Sequence, residues 1–480
     1  MEGLEATEVN LNYALAKNDI FRIDSSYFQK IFLQEESVLR EKGSKRLYEL
    51  GASVKSFGAY SLNNVVDYLD AGVPFIRGVN MKNGRVSFTD MLFISKEAHE
   101  LLWKSEVKEG MVLLSMSGTI GDVAIATTHW PYPINSNQDI AKIDVQGVAN
   151  PFVLYAYLLS RFGQNYLRRE ARGSVQQHVF LSQIEQLEVP KFGAALEVAI
   201  QRVLEDSECR FLTADQYIKA SESKLLSTLG LDTWTPPEAL SYERSSREAF
   251  AAGRFDAEYF QPKYEEMISI VKKNRDDYEL VQMGELSQPL KYGCSDKLDY
   301  IEEGRAFLRI ADLENKRFNE KAVLRVSSGI EFSPSELVAK DDVLISRSGT
   351  LGIAVPIGEE LDGSSYGSYF IRSRPDTNRI LPEYLSLAIN SLFGKMQVEQ
   401  MNTGGIQTNL TIPAIESILI PVGNICWQQK FVDMVIDSLM QRERAGELLT
   451  AAKCAVEIAI EDSEAAALDW LQTACLPSTS

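Results

Sequence analysis

The stretch VLISRSGTLGIAVPI, Val343–Ile357, has a second copy earlier in the same chain. VLLSMSGTIGDVAIA, Val112–Ala126, is identical to it at seven of fifteen positions. Each copy reads as a short apolar run, a turn with two glycines three apart around a threonine, and a second apolar run, the pattern of strand, tight turn and strand. Gly118 and Gly349 stand 231 residues apart, and the same offset carries RGSVQQHVFLSQIEQLEVP (Arg172–Pro190) onto TGGIQTNLTIPAIESILIP (Thr403–Pro421). Upstream, FRIDSSYF (Phe21–Phe28) matches GRFDAEYF (Gly253–Phe260) and PFIRGVN (Pro74–Asn80) matches AFLRIAD (Ala306–Asp312), both at an offset of 232. Four ordered landmarks at a nearly constant offset indicate a tandem duplication, and a repeat of this length is a whole domain rather than a solenoid unit.

Each copy mixes β-branched runs such as VLLSMSG, VAIAT, VLISRSG and IESILIPV with amphipathic helical stretches. PFVLYAYLLSRFGQNYL and LPEYLSLAINSLFGKMQ are such stretches, and the proline at the start of each suits a first helical turn. After each copy the texture changes. Residues 194–229 contain no Gly or Pro and lie between Gly193 and Gly230, with Leu196, Ala199, Ile200, Val203 and Leu204 spaced along one helix face. A helix of that span extends about 54 Å. A matching helix starts near Asn424, and Gly446 is placed to bend or break it. The two helices are expected to pair as an antiparallel coiled coil, the alternative being that each packs on its own domain.

Hydrophobic residues make up 45% of the 480, enough for more than one core. The acidic N-terminal stretch MEGLEATEVN does not read as a secretory signal, and no apolar run is long enough to span a bilayer. Five scattered cysteines without a CxxC pair fit a reducing cytoplasm rather than a disulfide framework or zinc site. The net charge of −18 argues against a nucleic-acid partner until its distribution is considered. Residues 1–191 hold 20 basic and 22 acidic side chains, whereas 192–250 and 422–480 together contribute −9.

Catalytic motifs are missing. TPPE, Thr235–Glu238, is the nearest approach to the proline-proline motif of amino-methyltransferases, and its first and last residues are wrong. No phosphate-binding GxxxxGK loop occurs, Pro375-Asp376 lacks the partners of a nuclease motif, and His99, His129 and His178 stand apart from one another. The candidates are instead groups that contact DNA. The turns offer amides and hydroxyls at Ser117, Thr119, Ser348 and Thr350 to phosphate oxygens, or they simply close a hairpin. Arg347, where the first copy has Met116, adds a phosphate or guanine contact in one copy. The glutamine loops contribute Arg172, Gln176 and Gln177, and Thr403, Gln407, Thr408 and Asn409; the Gln and Asn amides match adenine, or they are simply common loop residues. Arg77, Lys82 and Arg309 complete the set. Arg22/Asp24 and Arg254/Asp256 are expected to form buried salt bridges at a domain edge, and Arg161, Arg168, Arg169 and Arg172 to form either a solvated face or a DNA face.

The order and duplication of these phrases, each copy followed by a long helix, resemble the specificity subunit of a Type I restriction–modification system over nearly the whole chain. PVGNICWQQKF resembles the family's entry into its second long helix, while the first copy, PKFGAALEVAI, departs from it by lacking the Gln. The resemblance implies an α+β architecture with a pseudo-twofold internal repeat. Residues 1–191 and 237–421 would be target-recognition domains, separated by the central spacer helix and linker at 192–236 and the C-terminal spacer helix at 422–480. It implies a cytoplasmic, prokaryotic, non-catalytic protein with no metal or cofactor of its own, reading a bipartite, asymmetric double-stranded DNA target. Two adenine-N6 methyltransferase subunits would bring S-adenosylmethionine, and restriction–translocase subunits, where present, ATP and Mg. The competing readings are a protein–protein scaffold, including a degenerate specificity protein that no longer reads DNA, and an enzyme with an unrecognised site.

Overall fold

The computed structural model describes residues 7–16, 22, 24–56, 67–88, 91–173, 177–314, 316–318, 323–402 and 409–474. The chain divides into two compact units, one of residues 1–211 with 443–480 and one of residues 212–442. The division falls inside both long helices, so each unit holds half of each.

The quoted phrase is the middle of a four-stranded antiparallel sheet in both units. In the first the strand order is Ser53–Lys55, Ile140–Asp144, Val112–Ser115, Val123–Ile125. In the second it is Ser287–Tyr292, Phe370–Pro375, Val343–Ser346, Ala354–Pro356. Val112–Ser115 and Val343–Ser346 are buried at every position, and alternate side chains serve different cores. Val112 and Leu114 face one core while Leu113 joins another with Ile76, Met81 and Ile134. Val343 and Ile345 divide from Leu344 in the same way. A strand covered on both faces has no polar side to show, which is why these runs are continuously apolar instead of alternating.

A second four-stranded sheet in each unit is built on a parallel pair that starts from the F-I/L-R segment, Val73–Ile76 with Ile134–Ser136 and Arg305–Leu308 with Ser365–Tyr366. The stretches expected as single helices are broken once each. Pro151–Leu159 ends at Ser160 before Arg161–Glu170, and Pro382–Asn390 ends at Ser391 before Leu392–Met401. Each serine caps the new helix by accepting from the N–H of Gly163 or Gly394. A Cβ at Gly163 would sit 2.4 Å from Tyr157 O and one at Gly394 2.2 Å from Ile389 O, so the corner requires glycine.

The long helices span Ala194–Leu229 and Ile425–Glu461, the second running straight through Gly446, after which a separate helix covers Glu464–Ala474. In the first unit Ser207 Oγ donates to Ala445 O at 2.6 Å. In the second, Ser438 Oγ donates to Ala214 O at 2.8 Å and Ser221 Oγ to Phe431 O at 2.9 Å. Within the second unit positions 214 and 221 advance by seven while 438 and 431 retreat by seven, which is the register of an antiparallel heptad seam. No helix among the described residues is long and apolar enough to cross a membrane.

The two Arg–Asp landmarks form ion pairs, but not buried ones. Arg22 holds Asp24 with Nε at 2.8 Å and Nη2 at 3.0 Å, and Arg254 holds Asp256 at 2.6 and 2.8 Å. Each arginine is largely covered and stacks on Tyr27 or Tyr259 at 4.8 Å, while each aspartate stays 44% exposed. The reason is that the guanidinium also donates inward to a helix-end carbonyl, Arg169 O or Asn402 O, leaving the carboxylate outside. Hydrogen bonds from Arg22 hold the Asp24 carboxyl well below the usual carboxylate range.

Candidate nucleic-acid interface

In both units the turn after the buried strand is shaped by left-handed glycines. Gly118 and Gly121 have φ of +74° and +94°, and Gly349 and Gly352 have +78° and +71°. The buried serine before each turn ties it down. Ser115 Oγ donates to Ser117 O at 3.1 Å, and Ser346 Oγ donates to Thr350 O at 2.5 Å while accepting from the Ile353 N–H at 2.8 Å. The second glycine of each turn is pinned from the helix above. A Cβ would lie 2.6 Å from Gln164 Oε1 at Gly121 and 2.7 Å from both Val398 methyls at Gly352. Gly118, by contrast, faces open space, and Thr119 and Thr350 are exposed at the tips.

The turn and the glutamine loop meet in each unit, although some sixty residues separate them in sequence. Ser117 and Arg172 both bridge to His178, and the Val179 N–H donates to Met116 O at 2.9 Å. Ser348 bridges to Asn409, and the Leu410 N–H donates to Arg347 O at 2.9 Å. The arginine segment arrives at the same place. A Cβ at Gly78, next to Arg77, would lie 3.7 Å from Ser115 Oγ, and one at Gly349 would lie 3.6 Å from Ile310 Cδ1, next to Arg309. Ser117, Thr119, Arg172, Gln177 and Arg77 therefore cluster in the first unit, and Arg309, Arg347, Ser348, Thr350 and Asn409 in the second. Gln176, Thr403, Gln407 and Thr408 lie outside the described residues. Lys82 is exposed on the hairpin Met81–Lys82/Arg85–Val86, which Arg85 ties to the long helix by a 2.7 Å bond to Ser207 Oγ and by stacking on Phe211.

The two clusters differ electrostatically. Among the described residues, Arg77 Nε and Arg172 Nε of the first cluster are buried without a hydrogen-bond partner, as is Oδ1 of Asn137, whose Nδ2 donates at 3.0 Å to Asp139, the acceptor of Ser117 Oγ. In the second, Arg309 is held by Asp312, with Nε at 3.1 Å and Nη2 at 2.6 Å. The position corresponding to Asp312 in the first unit is Asn80, whose Oδ1 accepts from the Arg77 backbone N–H at 3.0 Å. Arg347 donates to Leu410 O at 3.2 Å and Ser368 O at 3.3 Å and stacks on Tyr292 at 4.8 Å. It braces the turn and glutamine loop together, and its hydrogen-bonding groups point largely inward.

The helix arginines are mostly structural. Arg169 is buried, paired with Glu36 at 3.0 Å and stacked on Tyr27 at 4.2 Å, while Arg161 pairs with Glu461 and Arg168 donates to Asn165 Oδ1. Residues overlooked in the sequence also belong to the clusters. Asp139 accepts from Ser117 Oγ at 2.8 Å, and Phe180, 49% exposed, packs edge-on against His178 at 4.8 Å. Neither stands inside a landmark phrase with a partner of its own type, so only folding brings them forward.

Residues 43–191 match the model of the Type I restriction modification DNA specificity domain, so the first of the two copies is a domain of that kind. No curated protein sequence matches the chain. Among solved structures the chain is similar to the S subunit of a Type I restriction–modification system from M. genitalium, with 15% identity, 87% of this chain and 94% of that one covered, and a TM-score of 0.39. It is similar to the HsdS subunit from Thermoanaerobacter tengcongensis at 14% identity, with 88% and 96% covered and a TM-score of 0.29. The type IIG restriction endonuclease BpuSI shares 10% identity over 54% of this chain and 34% of its own, with a TM-score of 0.28.

Proposed function

We propose that a chain whose residues 43–191 form a Type I DNA specificity domain is the non-catalytic DNA-reading subunit of a methyltransferase complex. Residues 1–191 and 237–421 each read one half of a bipartite, asymmetric duplex site. The helices within 192–236 and 422–480 set the gap and receive two adenine-N6 methyltransferase subunits, with restriction–translocase subunits joining where they exist. S-adenosylmethionine and ATP belong to those partners.

The observation that carries this reading is the cluster at the first turn. Among the described residues, Arg77 Nε, Arg172 Nε and Asn137 Oδ1 are buried without a protein partner, beside an exposed Gly-Thr tip. An unpaired buried polar group costs about 1–3 kcal/mol; a phosphate oxygen would satisfy either arginine, and a donor on a base edge the Asn137 oxygen. The shared strand order and turn geometry of the two units support one recognition scheme used twice, and their different charge partners support unequal half-sites. The acidic stretches suit protein partners, because DNA need not touch them.

The test is co-expression with an adenine-N6 methyltransferase from the same genome, followed by fluorescence anisotropy on duplex DNA and mapping of N6-methyladenine. A bipartite methylated motif with sequence-dependent binding is expected. A stable complex that binds no duplex specifically and leaves no bipartite motif would establish the scaffold reading, which the charge of −18 favours.

A further inference from the structure

One groove differs between the units and plays no part in the loop clusters. In the first unit it lies between helices Lys30–Glu41 and Arg161–Glu170 and is filled by the helix Leu11–Ala16. Tyr13 Oη donates to Glu36 Oε2 at 2.5 Å, and Val9, Tyr13 and buried Ala14 pack around Tyr27, Phe28 and Leu33. Arg169 closes this seat by donating from Nε to Tyr27 O at 2.9 Å. In the second unit, helices Pro262–Lys273 and Leu392–Met401 stand at the same places in the repeat, and Gln400, in place of Arg169, donates to Tyr259 O at 3.1 Å.

Here the groove is open, about 450 Å³, lined by Tyr264, Glu265, Ile268, Ser269, Lys272, Lys273 and Gln400. Of these, Glu265, Ile268 and Gln400 correspond to Leu33, Glu36 and Arg169, which line the filled seat. The helix Ser246–Ala252 cannot take the role of Leu11–Ala16. Only Gly253 separates it from Arg254, whereas five residues separate Ala16 from Arg22. Its Phe250 instead stacks on Phe255 in the open, the two rings 72% and 71% exposed.

We propose that this groove docks a protein partner presenting a short acidic helix with one aromatic side chain, seated as Leu11–Ala16 is seated in the first unit. The floor carries Ile268 where the filled seat has Glu36, so it accepts an aromatic ring without demanding a hydroxyl. The rim carries Lys272 and Lys273, both exposed and without an ion pair among the described residues, where the filled seat has Arg40 and Glu41. Glu265, where the filled seat has Leu33, is engaged by Arg244 at 2.8 Å, so the two ammonium groups beside Tyr264 and Ile268 leave a positive rim that selects an acidic amphipathic helix.

The test uses the full chain and a fluorescein-labelled peptide of residues 1–16, which carries Glu2, Glu5, Glu8 and Tyr13 and no basic residue. Because the chain's own copy fills the first seat, anisotropy should report saturable binding at the second. Affinity should fall at least tenfold in Ser269→Trp, which fills the groove from an exposed position, and in Lys272→Glu/Lys273→Glu. Thermal melts confirm that both variants fold, and a Tyr13→Phe peptide should bind at least as well. Absence of saturable binding, or equal affinity for wild type and both variants, overturns the proposal.

Discussion

Replacing Lys142 by methionine is expected to stabilise the protein near neutral pH. Lys142 is 2% exposed on the strand Ile140–Asp144, and its ammonium donates to Ser136 Oγ at 2.9 Å. Among the described residues no carboxylate pairs with it, and burial pushes its pKa down from 10.5 to about 7. Its counterpart, opposite Leu344 as Lys142 is opposite Leu113, is Arg372, which lies 3.8 Å from Asp342. The first unit has Met111 where the second has Asp342, so the lysine was left without the acid that would keep it charged.

The unfolded chain keeps the Lys142 proton up to about 10.5, whereas the folded chain gives it up above about 7. Between those values unfolding takes up one proton, so stability rises with pH by about 1.4 kcal/mol per unit. The whole window is worth about 5 kcal/mol, and near its lower end almost all of it opposes folding. Methionine matches the length of the stem and removes this term while forgoing one hydrogen bond worth about 1 kcal/mol. Lys142→Met should therefore gain about 2–4 kcal/mol near pH 7, with the gain fading to nothing near pH 10. Hydrogen exchange of peptides spanning residues 140–144, corrected for intrinsic rates, reads the opening free energy of this strand without assuming a single unfolding transition. Parallel pH profiles for wild type and variant, or a variant less stable throughout, would refute the argument.

Gly352→Ala should cost about 1–3 kcal/mol, since the new Cβ meets both Val398 methyls at a positive φ, whereas Gly118→Ala, strained but unobstructed, should cost about 1 kcal/mol; paired thermal melts check the order. Ala214→Leu forces a large side chain into the heptad seam against Ser438 and should lose about 1–3 kcal/mol in urea unfolding. Arg77→Ala and Arg172→Ala should each weaken duplex binding and lower the slope of log affinity against log salt by about one. Arg309→Ala should change that slope less, because Asp312 already neutralises the guanidinium, and salt titrations of the three variants side by side decide it.

The duplication made the backbone legible. A strand that must be buried on both faces, a turn that needs two left-handed glycines and a Gly-bounded helix each leave a local signature, and Ala194–Leu229 has the bounds its flanking glycines imply. The breaks at Ser160 and Ser391 were hidden because the apolar pattern runs through them; the signal was a serine three residues before a glycine that no side chain could replace. The site was legible as phrases but not as contacts. That the turn meets the glutamine loop follows from strand register, whereas Arg347 bracing two loops and Arg169 buried against Glu36 depend on partners that only packing supplies.

Where the copies diverge is itself physically ordered. Strand order and turn φ angles recur, because a one-residue slip would turn every buried side chain of a doubly covered strand to the wrong core. Charges do not recur in the same way. Asn80 stands against Asp312, Met116 against Arg347, Met111 against Asp342 and Glu36 against Ile268. Each exchange changes which cation is satisfied from within while leaving the backbone path alone. In the first unit it leaves Arg77 and Lys142 without a carboxylate partner among the described residues; in the second it neutralises Arg309, recruits Arg347 as a brace and opens the groove over Ile268. A frame copied intact with its ion pairs redistributed can present two different surfaces from one fold, and two different surfaces are what the proposed asymmetric target requires.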